Sequence, residues 1–447
     1  MVGLILKPDP DLTLQDQLLL EVFQLRCSPQ ANTKAAGPEA LQVSEHALRN
    51  QAHSGIVSHE DIQRREHEII RHLKALNDPK SPQFEPTIFS SIDTASIKSP
   101  FLRKWVIDPY VRCARSLVRN EMDVVMVTHL LLYVTTTIPS AAYLFYNFRW
   151  WHGVAHAIMQ AYYMGPYTLM MHQHIHMRGI FKKEFAWLDA HFPYIMDPLM
   201  GHTWNSYYFH HVKHHHVEGN GPDDLSSTVR YQRDDVLDFL RYLGRFYFLV
   251  WFDLPRYFLR KRKLDLALKS AGFEISNYIF LYTVFTYVNW RATIVVFLIP
   301  LALMRVAMML GNWGQHAFVD ETEPNSDFRS SITLIDVSSN RYCYNDGYHT
   351  SHHLNPLRHW RDHPAAFLSQ ADQYINEQAL VFYNIDYMMI SISLLTKNYE
   401  LLAKHLVPLG AQAKLSLEER AEMLRRKTRR FTEEEIAIKW GKEYARL

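Results

Sequence analysis

The chain has 447 residues, of which 48% are hydrophobic and 13% aromatic, so a disordered or fibrous protein is excluded. Its 48 basic and 46 acidic residues give a net charge of +2, which excludes a global positive field that would attract nucleic acid. Cys27, Cys113 and Cys343 are too few and too scattered for a four-cysteine metal site, and they favour a reducing compartment.

The first 120 residues are polar and predict a cytosolic N-terminal region. Lys7, Asp9 and Asp11 interrupt any apolar core at the start, so we predict no cleavable signal peptide. Residues 58–76 carry apolar side chains on one helical face and predict an amphipathic helix, which a proline-containing linker follows.

Four charge-poor segments predict membrane-spanning helices, namely residues 124–148, 150–177, 275–290 and 292–319. Arg149 separates the first two segments and Arg291 the last two, so the spans are predicted to form two helical hairpins. Arg305 is the single formal charge inside the fourth segment. Residues 242–258 are aromatic but charged, which predicts a helix that lies on the bilayer surface.

Basic residues flank the spans at the ends opposite the two short turns, so both termini and residues 178–270 are predicted to be cytosolic. We expect a multi-pass protein of the endoplasmic reticulum or another internal membrane. The final tripeptide 445–447 is similar to a peroxisomal address, and we attribute this similarity to chance. The predicted divisions are a polar region 1–120, a membrane domain 121–365 and a cytosolic helical region 366–447.

The 25 histidines are numerous for this length, and nine of them stand in four clusters at or beyond the cytosolic ends of the predicted spans. These nine are His172 and His176, then His211, His215 and His216, then His316, and finally His349, His352 and His353. Histidines four apart share a helix face, and an adjacent second histidine can reach another ion. Nine imidazoles exceed the needs of one structural zinc and fit two metal ions.

The spacing of the second cluster leaves two assignments open. HxxxHH selects His211, His215 and His216, which we prefer, whereas HxxHH selects His214 as an alternative ligand.

Three types of function are compatible with such clusters. A site fed with apolar chains from the bilayer favours iron with O2, because an unactivated C–H bond requires a redox metal. A zinc hydrolase is less favoured, because Gln173 stands where HExxH carries its glutamate. A metal transporter or lipid-binding sensor is also less favoured, because a transporter would place its ionisable ligands at mid-span depth.

With these residues in view, the chain resembles the integral-membrane fatty acid desaturase and hydroxylase superfamily, and within it the alkane monooxygenase type. Three motifs carry the resemblance, namely HHVEGNGPDD (215–224), NWGQH (312–316) and HTSHHLNPLR (349–358). The likeness extends over residues 124–363.

The resemblance implies an all-α integral membrane fold with about four spans in two hairpins and a helical cytosolic cap that holds a di-iron site. It implies two Fe ions, O2 as co-substrate and the nine histidines as ligands, with no catalytic residue beyond them. It also implies a fatty acyl or alkyl substrate that is desaturated or hydroxylated, or decarboxylated to a terminal alkene. The reductant would be an external rubredoxin, ferredoxin or cytochrome b5 type of donor with its reductase.

The chain departs from the alkane monooxygenase pattern at three glutamates, which are replaced by Gln173, His210 and Gln315. Carboxylates around a metal site orient the ligating histidines. Asp223, Asp224 and Asp346, together with Asn312, are therefore candidates for an outer shell, and each Asp could equally cap a helix. The remaining histidines of this region are expected to be outer-shell or surface residues, namely His174, His210, His359 and His363.

Overall fold

The computed structural model describes residues 14–27, 59–90 and 92–444. The predictions made from residues 7–11 and from the tripeptide 445–447 fall outside this part of the chain. The described residues are mostly helical, in agreement with the prediction.

The α-helices are Leu14–Cys27, His59–Asn77, Pro100–Leu102, Asp108–Leu117, Val124–Tyr146, Trp150–Met177, Asp197–Leu199, His216–Glu218, Val236–Arg260, Leu264–Tyr287, Trp290–Thr293, Ile299–Gln315, Asp327–Ser330, Ser338–Tyr342, His349–Leu354, His363–Ser369, Ala371–Asn376, Tyr387–Leu395, Tyr399–His405, Leu417–Lys427 and Glu433–Lys439. Wider π-helical segments are Arg103–Ile107, Phe192–Met196, Tyr208–His215 and Ile294–Leu298. Short 3₁₀ segments are Thr94–Ser96, Glu121–Asp123, Lys183–Ala190, Trp360–Asp362, Gly410–Lys414 and Lys442–Tyr444.

Both predicted helical hairpins are present. The first pairs Val124–Tyr146 with Trp150–Met177, and the second pairs Leu264–Tyr287 with Trp290–Gln315. In the second hairpin the turn falls at residues 288–289, so Arg291 lies in the first turn of the following helix. Asn289 starts that helix because its side chain accepts a hydrogen bond from the backbone N–H of Ala292 at 3.2 Å.

Two of the four hairpin helices are long and apolar enough to cross a membrane, namely Glu121–Tyr146 and Trp290–Gln315. The helix Trp150–Met177 is less apolar because it contains five histidines, and Leu264–Tyr287 contains Asp265, Lys269 and Glu274. A crossing by these two helices remains a proposal.

The predicted surface helix is longer than residues 242–258 and extends over Val236–Arg260. It packs antiparallel to Leu264–Tyr287, and its outward side chains Phe248, Trp251 and Phe252 are exposed. This exposed aromatic face fits a helix that lies against lipid.

The all-α prediction requires a correction, because the described chain contains two small sheets. Strands β1 (Thr87–Phe89) and β2 (Ile92–Asp93) are antiparallel. Strand β3 (Ile332–Ile335) pairs parallel with β4 (Leu380–Tyr383), which pairs antiparallel with β5 (Leu406–Val407). The sequences ITLI and LVFY are rich in β-branched and aromatic residues and are largely buried, which favours strands in a covered sheet.

This second sheet connects two of the predicted divisions. The predicted boundary at residue 365 falls inside the helix His363–Ser369. This boundary would assign the paired strands β3 and β4 to different divisions. The amphipathic helix His59–Asn77 buries Ile69 and Leu73 against the same region.

A buried arginine attaches the C-terminal segment to the centre of the protein. Arg233 is fully buried, and its guanidinium donates to the backbone carbonyls of Thr228, Ala317 and Lys427 at 2.9–3.0 Å, and also to that of Arg429. The C-terminal segment contains the helices Leu417–Lys427 and Glu433–Lys439, and the carbonyls of Lys427 and Arg429 that bind Arg233 lie at and just beyond the end of the first helix.

Candidate metal centre

The end of the first hairpin supplies the first two histidines. His172 and His176 lie four residues apart on the last turns of Trp150–Met177, and both are buried. Their ring centroids are 4.7 Å apart, so both side chains point to the same side of the helix.

The second set of histidines lies on the π-helical segment Tyr208–His215 and the residue that follows it. In a π-helix residues five apart come together, whereas in an α-helix residues four apart do so. The Nε2 atoms of His211 and His216 are accordingly 3.0 Å apart. His215 points to a different group of histidines, where its ring is 5.3 Å from that of His316.

The third set lies on the short helix His349–Leu354, where adjacent histidines diverge in the same way. His352 Nε2 is 3.1 Å from His172 Nε2 and 2.9 Å from His216 Nε2. The rings of His349 and His353, four residues apart, are separated by 4.5 Å on the other side.

Two adjoining clusters result from these placements. The first cluster consists of His172, His176, His211, His216 and His352, whose candidate ligand atoms all lie within 4.8 Å of one another. The second cluster consists of His215, His316, His353 and His349, of which the first three meet the same criterion. His349 Nε2 is 3.1 Å from His316 Nε2, and the rings of His216 and His353 are 5.0 Å apart across the two clusters.

The first cluster fits a metal ion better than it fits a set of hydrogen bonds. The Nε2 atoms of His172, His211, His216 and His352 form a closed ring of contacts of 2.8–3.1 Å. Each Nε2 offers one N–H or one lone pair, yet each approaches two neighbours. Four lone pairs that converge on one cation remove this conflict, and imidazole is a common ligand for Fe and Zn.

Burial keeps these imidazoles in the form that binds metal. Burial, followed by the repulsion of neighbouring histidines, lowers the pKa of His211, His216 and His352 well below the usual value. The same causes act on the pKa of His349. The rings are therefore neutral, and neutral imidazole has a free lone pair for a metal.

Asp224 is the predicted outer-shell carboxylate that contacts a cluster histidine. Its Oδ2 lies 2.7 Å from His215 Nδ1, which leaves the other nitrogen of that ring toward the second cluster. Burial alone would raise the pKa of Asp224, but its contacts with the imidazoles of His215 and His214 lower it well below its usual range. Asn312 connects to this group by donating to the backbone oxygen of Ser226 at 2.9 Å.

Asp223 and Asp346 have other partners. Asp223 pairs with Arg260 at 3.3 Å and with Lys261 at 3.1 Å, away from the described histidines. Asp346 accepts a hydrogen bond from Gln315 Nε2 at 3.0 Å, and burial raises its pKa to about 7. Asp346 thus contacts Gln315, which precedes His316 in the sequence, and its carboxylate is hydrogen-bonded to none of the described cluster histidines.

His214 lies outside both clusters. Together with His210 and Asp224 it forms a third buried group, and its Nε2 accepts a hydrogen bond from the backbone N–H of Leu225 at 2.8 Å. The π-helix directs this ring away from His211 and His216.

The four histidines expected in the outer shell or at the surface are all buried, so the surface alternative is wrong. His174 contacts Asp189 at 3.2 Å, and His359 Nε2 lies 2.8 Å from an oxygen of Asp123. His363 Nδ1 is 2.9 Å from Ser351 Oγ.

Sequence reasoning missed Asp327, which lies 3.4 Å from His353 Nδ1. No spacing signal could have identified it, because this contact depends on how the loop 320–330 folds back over the helix His349–Leu354.

The family model described as Fatty acid desaturase matches residues 148–379, which is just over half of the chain. The chain belongs to the fatty acid desaturase family. No curated protein and no solved structure matches it. The matched range contains all nine clustered histidines. Membership makes this desaturase-family protein a membrane-bound oxidoreductase of fatty acyl chains, in a family that is generally iron-dependent.

Proposed function

We propose that this protein is a multi-pass, O2-dependent di-iron oxidoreductase that desaturates or hydroxylates a fatty acyl or alkyl chain. The observation that carries the proposal is the pair of adjoining histidine clusters, in which six of the nine rings are buried. Within the family, we propose that this chain is related to the alkane monooxygenase-like branch.

Each cluster would hold one iron. When bound, the two irons would supply the redox chemistry with O2 that an unactivated C–H bond requires. The residues of the chain position the ligands, since Asp224 orients His215 and the buried surroundings keep the imidazoles neutral. The rings of His172, His176, His215, His316, His349 and His352 are buried, which limits their contact with bulk water.

The electron donor and the topology belong to the same proposal. An external rubredoxin, ferredoxin or cytochrome b5 type of donor would deliver the electrons, as the resemblance of the histidine motifs to the desaturase and hydroxylase superfamily implies. The proposed topology has four spans and cytosolic termini in the endoplasmic reticulum or another internal membrane. The two apolar helices and the exposed aromatic face of Val236–Arg260 support contact with a membrane, and the basic residues that flank the spans support the cytosolic termini.

A zinc-dependent hydrolase is disfavoured by the composition of the first cluster. Its five candidate ligands include no carboxylate, and the buried Gln173 beside His172 cannot act as a general base. An oxidative decarboxylase that gives a terminal alkene uses the same ligands, so product analysis is needed to separate it.

The test combines metal quantification with product analysis. The full chain is purified anaerobically in detergent, iron and zinc are quantified, and lipids of a host that expresses the protein are analysed under ¹⁸O2. We expect about two equivalents of iron and an oxidised chain that is absent with a His211→Ala variant. Label in an alcohol indicates hydroxylation, an unlabelled alkene of unchanged length indicates desaturation, and an alkene shortened by one carbon indicates decarboxylation. Folded protein that never retains iron would contradict the proposal.

A further inference from the structure

A polar recess of about 400 Å³ lies between the helix Val236–Arg260, the segment 222–230 and the C-terminal segment Lys442–Tyr444. This volume is within the range of pockets that hold a small molecule. Four arginines and four carboxylates line the recess, so their formal charges cancel. A ligand of this recess is therefore not selected by a net field of either sign.

Most of these charged groups already have partners. Asp224 contacts His215 at 2.7 Å, and Arg260 contacts Asp223 at 3.3 Å. Arg230 is held at 2.9 Å by a glutamate of the last α-helix. These groups form the wall of the recess and have little capacity left for a ligand.

Two opposite charges in the recess lack such partners. The side chains of Arg256 and Glu443 form no ion pair or hydrogen bond with another residue in the part of the chain that the structure describes. Arg245 is only partly used, because its Nε donates to Asp253 Oδ2 at 3.1 Å and its two Nη groups have no partner among the described residues. The recess thus offers guanidinium donors and one unpaired carboxylate.

This combination favours a ligand that carries both signs of charge. A phosphate group can accept hydrogen bonds from the guanidinium groups of Arg245 and Arg256. An ammonium group on the same ligand can pair with Glu443. A ligand that is only anionic would be repelled by Glu443 and Asp253, and this repulsion provides selectivity.

The recess adjoins a surface that fits lipid. Trp251 and Phe252 precede Asp253 on the same helix and are 43% and 51% exposed. Exposed aromatic rings together with arginines are typical of a helix that lies at the level of the lipid headgroups. A lipid whose headgroup occupies the recess would therefore have its acyl chains on the side of these exposed rings.

We propose that this recess binds the zwitterionic phosphodiester headgroup of a membrane phospholipid, phosphatidylcholine or phosphatidylethanolamine. Arg245 and Arg256 hold the phosphate, and Glu443 pairs with the ammonium group. The inference goes beyond the proposed function and does not depend on it, since it gives the lipid no part in the reaction at the metal centre. The bound lipid contacts the helix Val236–Arg260 and the segment Lys442–Tyr444 together, so it stabilises the folded chain.

The test measures lipid binding to the full chain in dodecylmaltoside, a detergent without charge or phosphate. Dioctanoyl-phosphatidylcholine, dioctanoyl-phosphatidylglycerol, dioctanoylglycerol and glycerophosphocholine are titrated separately, and binding is followed by native mass spectrometry and thermal unfolding. We expect about one phosphatidylcholine per chain, bound about tenfold more tightly than phosphatidylglycerol and dioctanoylglycerol. Weaker binding of glycerophosphocholine identifies a membrane lipid as the source, whereas equal binding would overturn that assignment in favour of a soluble phosphodiester.

Two variants address the unpaired charges directly. Arg256→Gln removes a phosphate donor, so phosphatidylcholine binding should fall about tenfold. Glu443→Gln removes both the partner of the ammonium group and the repulsion of anions, so phosphatidylcholine should bind more weakly and phosphatidylglycerol more tightly. Arg241→Gln is the matched control, because Arg241 is 61% exposed on the same helix and does not line the recess, and it should keep the wild-type preference.

Thermal unfolding without lipid verifies that each variant folds. The opposite changes expected for the two lipids with Glu443→Gln cannot come from damage to the fold, which would weaken both. Tighter binding of phosphatidylglycerol than of phosphatidylcholine by the wild type would overturn this inference, and so would unchanged phosphatidylcholine binding by Arg256→Gln. Either result would leave the proposed function intact, because none of these residues is a candidate metal ligand.

Discussion

The two histidine clusters use different means to orient their imidazoles. The first cluster gathers five rings, and among the described residues no carboxylate is hydrogen-bonded to them. The second cluster has four rings, of which His215 is oriented by Asp224 at 2.7 Å and His353 by Asp327 at 3.4 Å. The first cluster thus depends on the number of ligands, whereas the second depends on fewer ligands with carboxylate support.

This difference is compatible with the proposed relationship to the alkane monooxygenase type, whose pattern has glutamates where this chain has Gln173, His210 and Gln315. Gln173 lies between His172 and His176 of the five-ring cluster, where an additional imidazole is available. Support for the second cluster comes from Asp224 and Asp327, which lie elsewhere in the chain.

Removal of one ligand from each cluster tests the difference in ligand number between the two clusters. This change has the largest expected effect. His316→Ala leaves three imidazoles in its cluster, while His211→Ala leaves four in the other. Both should lower oxidation more than ~100-fold, but only His316→Ala should lose about one equivalent of iron on dialysis against a chelator. Equal iron loss by both variants would show that the clusters do not differ in ligand redundancy.

Removal of the buried guanidinium tests how strongly Arg233 anchors the C-terminal segment to the residue that follows His316 of the second cluster. Arg233→Met leaves the carbonyls of Ala317, Lys427 and Thr228 without their donor, so we expect the free energy of unfolding to fall by ~3 kcal/mol or more. Thermal unfolding in detergent and limited proteolysis of the C-terminal helices measure this change. Arg426→Met, at an exposed position on the helix Leu417–Lys427, is the control and should change stability by less than ~0.5 kcal/mol.

Neutralisation of the carboxylate at His215 should have a smaller but specific effect. Asp224→Asn keeps the size of the side chain but removes the charge that orients His215, so iron affinity should fall ~10–100-fold at one of the two sites. Competition with a chelator measures the affinity. Asp223→Asn is a close control, since that carboxylate pairs with Arg260 and Lys261, and it should retain both irons.

Substitution of the second supporting carboxylate should have the smallest effect. The side chain of Asp327 is 39% exposed and lies 3.4 Å from His353, so solvent weakens the contact. Asp327→Asn should lower iron affinity less than ~10-fold. A loss as large as that of Asp224→Asn in the same assay would mean that both carboxylates support the cluster equally.

The helical hairpins could be predicted from the sequence because their signal is local. Residues 124–148 and 150–177 are charge-free, and the structure has Val124–Tyr146 and Trp150–Met177 in the same places. The parallel pairing of β3 with β4 could not be predicted in this way, because their residues are 48 positions apart, as in the pair Ile332 and Leu380, and the strands are only four residues long.

Sequence spacing identified the nine clustered histidines and predicted two groups, because residues four apart share a helix face and an adjacent residue points in another direction. The division of those histidines between the groups was decided by the folded chain. The π-helical segment Tyr208–His215 turns His216 toward His211 and His215 toward His316, a change of hydrogen-bonding period that the letters HHVKHHH do not reveal. The supporting contact of Asp327, likewise, exists only because a distant loop packs over His353.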